Sequence, residues 1–95
     1  MPVYLTGKLI CANAEQAEIV REYLPEHIRM TLAEPGCLEF EVSHAGAMTW
    51  DVSEVFADRA SFEAHQARVR ASTWGAMTSG IAREYEIRDY ELGAA

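Results

Sequence analysis

Residues 3–11 alternate, with Val3, Leu5, Leu9 and Cys11 on one side and Tyr4, Thr6, Lys8 and Ile10 on the other. A period of two is that of a strand with one buried face. Asn13 follows and can cap a helix, in which Ala17, Val20, Leu24, Ile28 and Leu32 recur at helical spacing. Pro25 interrupts this pattern, but the apolar stripe continues in phase, so one helix kinked near Leu24 is expected. Pro35-Gly36 ends it and turns the chain. Two strands are then expected, roughly 37–43 and 48–57, joined by a hairpin at 44–47 that contains Gly46. Leu38, Phe40 and Val42 share an apolar face of the first, and Trp50, Val52, Glu54 and Phe56 share one of the second. Asp58 or Ser61 caps a second helix with Phe62, His65 and Val69 inside. Residues 72–79 make a short extra helical turn carrying Trp74 and Met77, ended by Gly80. Residues 82–90 alternate again, placing Tyr85 and Ile87 toward the core, and the tail 93–95 is expected to fray.

Strand, helix, strand, strand, helix, strand is the order of the split βαβ, or ferredoxin-like, arrangement, an α+β fold. Both helices would cover one face of an antiparallel sheet. The other face would carry Tyr4, Thr6, Lys8 and Ile10, then Asp51, Ser53 and Val55, then Glu84, Glu86, Arg88 and Tyr90. That face is mixed rather than fully polar, so water could solvate it or a second copy could bury it across an isologous interface. The small domain favours the homodimer through the sheet face.

Composition narrows the function classes. The chain has 95 residues and a net charge of −7. One domain over residues 1–95 is expected, with neither linker nor repeat. The acidity and the lack of a basic patch argue against nucleic-acid partners and against an anionic membrane surface. No run approaches a membrane span, and the start, MPVYLTGKLIC, lacks a basic leader region. With only Cys11 and Cys37 and no CxxC, a cytoplasmic protein with reduced, structural thiols is expected. No GxGxxG, P-loop, HExxH or GxSxG is present.

Glu54 is the anomaly. A carboxylate within an apolar strand face is costly unless it is paired or protonated. His65, eleven residues on, falls on the apolar side of a helix that should pack over this strand. Glu54 is thus either a tied structural carboxylate or a group that orients or deprotonates a substrate. A carboxylate fixes the tautomer of an imidazole and makes its other nitrogen more basic, so His65 could take a phenolic proton near neutral pH. Trp74, beside Gly75, suits the wall or lid of a pocket. Trp50 suits core or wall. Phe40, Phe62 and Met77 are core residues, some of which must border any apolar cavity. His27 lies on the flank of the first helix's stripe, as a boundary residue or a second polar wall group, and Tyr23 is expected to be exposed.

The segment EPGCLEFEV (34–42), followed by WDVSEVFADRASFEAH (50–65), resembles the antibiotic biosynthesis monooxygenase family, which includes quinol monooxygenases. The shared pattern is EPGC with an alternating strand, a strand ending Glu-x-aromatic-x-Asp, and a helix with a Phe-x-x-His step. The resemblance covers nearly the whole chain. It implies a dimeric α/β barrel of two face-to-face sheets, with a pocket between sheet and helices in each subunit. It implies oxidation of a small aromatic, quinol- or anthrone-like substrate by O2, with no metal and no flavin, once the substrate is deprotonated. Catalytic roles are then expected for His65, Glu54 and Trp74, and substrate contacts for Trp50, His27, Phe40, Phe62 and Met77. A non-catalytic member binding a small apolar ligand would use the same pocket. The related haem-degrading branch has a histidine after the pocket tryptophan and an asparagine on the first strand. This chain has neither.

Overall fold

The computed structural model describes residues 1–89, in the order β1 (Val3–Ile10), α1 (Ala14–Leu32), β2 (Cys37–Gly46), β3 (Thr49–Phe56), α2 (Arg59–Arg70), α3 (Thr73–Met77) and β4 (Ala82–Asp89). Tyr90 and the tail expected to fray lie outside the described residues. The four strands form one sheet in the order β2-β3-β1-β4, and every pairing is antiparallel. This is the ferredoxin-like βαββαβ fold.

Register sets which side chains meet the helices. Val3, Leu5 and Leu9 stand opposite Phe56, Glu54 and Trp50, and opposite residues share a face. The core gathers on that face, from Val3, Leu5, Leu9, Trp50, Val52 and Phe56 below to Ala17, Val20, Leu24, Phe62 and Trp74 above. On the other face Lys8 bonds Asp51 at 2.7 Å, an exposed pair of small energetic weight.

Several expectations needed correction. Along α1 the buried positions are Ala17, Val20, Leu24, His27 and Thr31, stepping alternately by three and four. Repeated steps of four advance about 40° beyond a full turn each time, so Ile28 slides to the flank and Leu32 is 55% exposed. The same rotation half-buries Tyr23 against the core. As expected, one helix runs through Pro25. In β2 an irregularity between Cys37 and Glu39 throws Leu38 out of the alternation, leaving it 62% exposed. The strand then runs to Gly46, so the hairpin turn is only residues 47 and 48. Tyr85 and Ile87 face the helix side, opposite Gly7 and Leu5, but β4 is an edge strand that the helices do not cover, and both are exposed.

The caps are local chemistry. The side chains of Asn13, Asp58 and Ser72 accept from the backbone N–H of Gln16, Ser61 and Gly75, each satisfying an otherwise orphaned donor. The Asp58 cap starts α2 in the phase that buries Phe62 and His65. Burial raises the pKa of both Cys11 and Cys37, which keeps the two free thiols protonated.

Candidate functional site

β3 delivers Glu54 and α2 delivers His65 to the same gap between layers. Both are buried, Glu54 at 6% and His65 at 3% exposed. His65 Nε2 is 3.7 Å from Glu54 Oε1, too long for a hydrogen bond. The strong partner of His65 is Glu34, whose two carboxylate oxygens lie 2.7 and 3.0 Å from His65 Nδ1. Arg68, one turn along α2, donates from Nε to Glu34 at 2.9 Å and from Nη2 to Thr31 Oγ1 at 3.0 Å. Glu34 sits just beyond α1, where the 34–37 turn directs its carboxylate under α2.

This arrangement fixes the tautomer. Nδ1 must carry a proton to donate to the Glu34 carboxylate, which leaves Nε2 as a lone pair turned toward Glu54. A lone pair and an ionised carboxylate repel, which favours the protonated form of Glu54. Burial, reinforced by the charge of Glu34, pushes the Glu54 carboxyl up to about 7. Burial also lowers the His65 imidazole, and Glu34 partly opposes that shift. Glu54 Oε1 has no hydrogen-bond partner among the described residues, as expected of a group whose natural partner lies just out of reach.

The pair borders a cavity of about 60 Å³. Leu5, Leu9, Val42, Val52 and Val69 make its apolar walls, and Phe40, Trp74 and Tyr85 add aromatic surface. His27 closes one side, stacked on Trp74 with centroids 4.6 Å apart and planes 6° from parallel. Phe40 meets the His27 ring edge-on at 5.4 Å. Burial, helped by repulsion from His65 when protonated and from Arg68 and Arg83, drives the His27 pKa down to about 3. His27 is therefore a neutral wall group at any physiological pH. Tyr85 both lines the cavity and is 38% exposed, so it marks the mouth.

Gly7 makes room for that tyrosine. A Cβ on Gly7 would sit 2.0 Å from the Glu84 carbonyl oxygen and 2.8 Å from Tyr85 Cδ1. Only a residue without a side chain lets the ring lie across β1.

Of the expected site residues, the fold brings Glu54, His65, Trp74, His27 and Phe40 to one cavity. Trp50 is in the core instead, stacked on His44 at 4.6 Å with Arg21 over its ring. Phe62 packs on Phe56 beneath α2. Met77 turns outward, 41% exposed, toward Glu15, Ile19 and Glu22 of α1. Sequence reasoning missed Glu34, Arg68, Arg83 and Tyr85. Glu34 had a signal, because it opens the EPGC segment, but it read as a helix end. Among the described residues no three His, Cys, Asp or Glu side chains converge to hold a metal ion. No described helix is long and apolar enough to cross a membrane.

Comparison with known proteins agrees with this picture of the fold. The sequence matches the family described as antibiotic biosynthesis monooxygenase over residues 4–76. No curated protein sequence matches the chain. Among solved structures it is similar to Rv0793 from Mycobacterium tuberculosis, at 18% identity and TM-score 0.75, covering 94% of each chain. It is also similar to MupZ from Pseudomonas fluorescens, at 19% identity and TM-score 0.77, covering 90% of this chain and 69% of that one. A third is SnoaB, a cofactor-independent oxygenase from Streptomyces nogalater, at 12% identity and TM-score 0.71, covering 93% and 91%. At these identities the likeness is one of fold.

Proposed function

We propose that this chain, which belongs to the antibiotic biosynthesis monooxygenase family, oxidises a small electron-rich aromatic substrate of quinol or anthrone type with molecular oxygen, without metal or flavin. The observation that carries the reading is the Glu34–His65–Glu54 line against an apolar cavity. A base oriented by a carboxylate on one nitrogen, with its other nitrogen facing a dry pocket, is the arrangement that ionises a weakly acidic O–H or C–H. A solved relative in fold is named a cofactor-independent oxygenase.

In this mechanism the substrate hydroxyl lies against His65 Nε2 and Glu54. Its proton passes to the shared Glu54–His65 site, and the imidazolium formed is stabilised by Glu34. The apolar walls keep water from solvating the anion, which raises its energy and eases transfer of one electron to O2. The radical pair then recombines, one oxygen atom entering the ring and the other leaving as water. Trp74 and Phe40 hold the ring plane, and neutral His27 offers a hydrogen bond to a second substituent. The protein works in the cytoplasm as a homodimer joined through the outer sheet face, where Val55 is already buried and Tyr4 and Ile10 are half-buried.

Oxygen uptake with a panel of hydroquinones and anthrones, in chelated and flavin-free buffer, tests the reading. Uptake is expected with at least one member of the panel, and His65→Ala should lower its rate by about 10²–10⁴-fold. No uptake by the wild type, or full uptake by the variant, refutes the mechanism. Binding that survives His65→Ala with no turnover in either protein favours a non-catalytic ligand-binding member.

A further inference from the structure

The cavity has a second pole that the acid–base pair does not use. Arg83 comes from β4 opposite Leu9 of β1 and lines the cavity. Its guanidinium is held in place by the α3–β4 connection. Nη1 donates to the carbonyls of Thr78 at 2.9 Å and Ile81 at 3.0 Å, and Nη2 donates to Thr78 Oγ1 at 2.8 Å. All three acceptors are neutral. Among the described residues Arg83 and Arg70 have no carboxylate partner, whereas Arg21, Arg29, Arg59, Arg68 and Arg88 each have one; of the two, Arg83 lines the cavity. A guanidinium carries five donors. Three are used on the connection and the Tyr85 phenol is a further side-chain partner, so the guanidinium is oriented by neutral oxygens and its charge is left for an oxyanion.

The charge reaches into the cavity. Arg83 acts on the His27 imidazole, and Arg83 and Glu54 both act on the Tyr85 phenol. In register Tyr85 is level with Gly7, between Glu54, level with Leu5, and Arg83, level with Leu9. Arg83 and Glu54 are two strands and four residues apart in register, or about 17 Å between Cα atoms at ordinary sheet spacings. Both side chains line the same cavity between those positions. A cavity of about 60 Å³ is small beside the roughly 300–1,000 Å³ of common ligand sites, which narrows the quinol-or-anthrone class to its single-ring members.

We propose that Arg83 is an anion receptor, and that the molecule this cavity takes is a single-ring phenol bearing a carboxylate, its hydroxyl at Glu54–His65 and its carboxylate on Arg83. The inference rests on the cavity being the substrate site, but it concerns which molecule is taken and needs no oxidation to be tested.

The probes are 4-hydroxybenzoate and 4-hydroxybenzamide, equal in shape and differing in charge. Binding is read under nitrogen by calorimetry, at fixed protein concentration and low salt. The acid is expected to bind at least tenfold more tightly than the amide, with a ratio that shrinks as salt is added. Arg83→Gln should bring the ratio to about one. Arg83→Lys, which keeps the charge but not the fork, should leave roughly threefold. A merely structural Arg83 would weaken both probes alike. Equal binding of the two probes by the wild type, no binding of the acid, or a tenfold ratio surviving in Arg83→Gln overturns the proposal. The wild-type ratio decides the matter even where the glutamine variant does not fold. Because no turnover is involved, a protein that prefers the acid yet consumes no oxygen refutes the oxidative reading and leaves this one standing.

Discussion

Replacing Glu54 by Gln should stabilise the protein in a way that depends on pH. The folded carboxyl titrates at about 7 against an ordinary 4.5, burial being the main cause. A group whose folded pKa is raised binds its proton more tightly in the native state. Its contribution is full below pH 4.5 and is lost as pH rises through about 7. At 1.36 kcal/mol per unit, the loss by pH 8 is about 3 kcal/mol. An ion pair with His65 at 3.7 Å would return part of it, so this figure is an upper bound. Glutamine has the same shape and does not titrate. Glu54→Gln should therefore change stability little at pH 4.5 and raise it by up to about 3 kcal/mol at pH 8 relative to its effect at pH 4.5.

Urea unfolding of both proteins at several pH values, at one protein concentration, measures this directly. His27 titrates in the opposite sense: its folded pKa of about 3 lies below the ordinary 6.5, so it costs stability as pH falls through that window. The difference between the two proteins cancels that term. A Glu54→Gln effect that is the same at pH 4.5 and pH 8 would falsify the assignment of Glu54 as a buried carboxyl that holds its proton.

Three further outcomes follow from the packing. His27→Phe keeps an aromatic ring on Trp74 and removes the buried base, so its stability relative to wild type should improve steadily from pH 7 to pH 4; thermal melting at the two ends is the check, and a constant difference counts against a neutral buried His27. Gly7→Ala meets the Glu84 carbonyl at 2.0 Å, so β4 must shift, at a cost of about 2 kcal/mol or more; an unchanged melting temperature would show that Tyr85 does not lie across β1. Glu34→Gln removes the group that raises the His65 pKa and strips Arg68 of its partner, so His65 should titrate lower still. Nitrogen NMR of the imidazole should find Nδ1 protonated in the wild type and a mixed tautomer in the variant, and an unaltered spectrum would refute the orienting role.

Much of the fold could be read from period alone, because the first and third strands carry one apolar face and Asn13 caps the first helix as expected, while the second cap, left between Asp58 and Ser61, is Asp58. The errors arose where tertiary contact outvoted the letters. Ile28 and Leu32 are apolar and His27 and Thr31 are not, yet helical geometry turns the polar pair inward. Leu38 reads as a core residue until a local irregularity in β2 removes it. The site was legible where it broke a pattern. Glu54 and His65 stand out because each is polar on an apolar face. Glu34, Arg68 and Arg83 break no pattern: each lies at an element's end or flank, where charge is ordinary. Their roles arise from a turn and two side-chain reaches that no local rule encodes.

The energetics give an independent reason to regard the cavity as functional. A domain of this size has a total stability of roughly 5–15 kcal/mol. Glu54 alone subtracts up to about 3 kcal/mol above neutral pH, by the shift worked out above, and His27 subtracts in acid. Gln and Phe would fit both positions without either cost. A structural carboxylate that has a partner close by normally completes its hydrogen bond; Glu54 stops at 3.7 Å from His65 while His65 spends its other nitrogen on Glu34 at 2.7 Å. A structural cation normally finds a carboxylate; Arg83 is held by neutral oxygens alone. The unsatisfied acid–base pair and the uncompensated cation border the same small apolar cavity. One occupant with an acidic hydroxyl at one end and a negative charge at the other relieves both, and the free protein bears a stability cost that such a ligand would recover on binding.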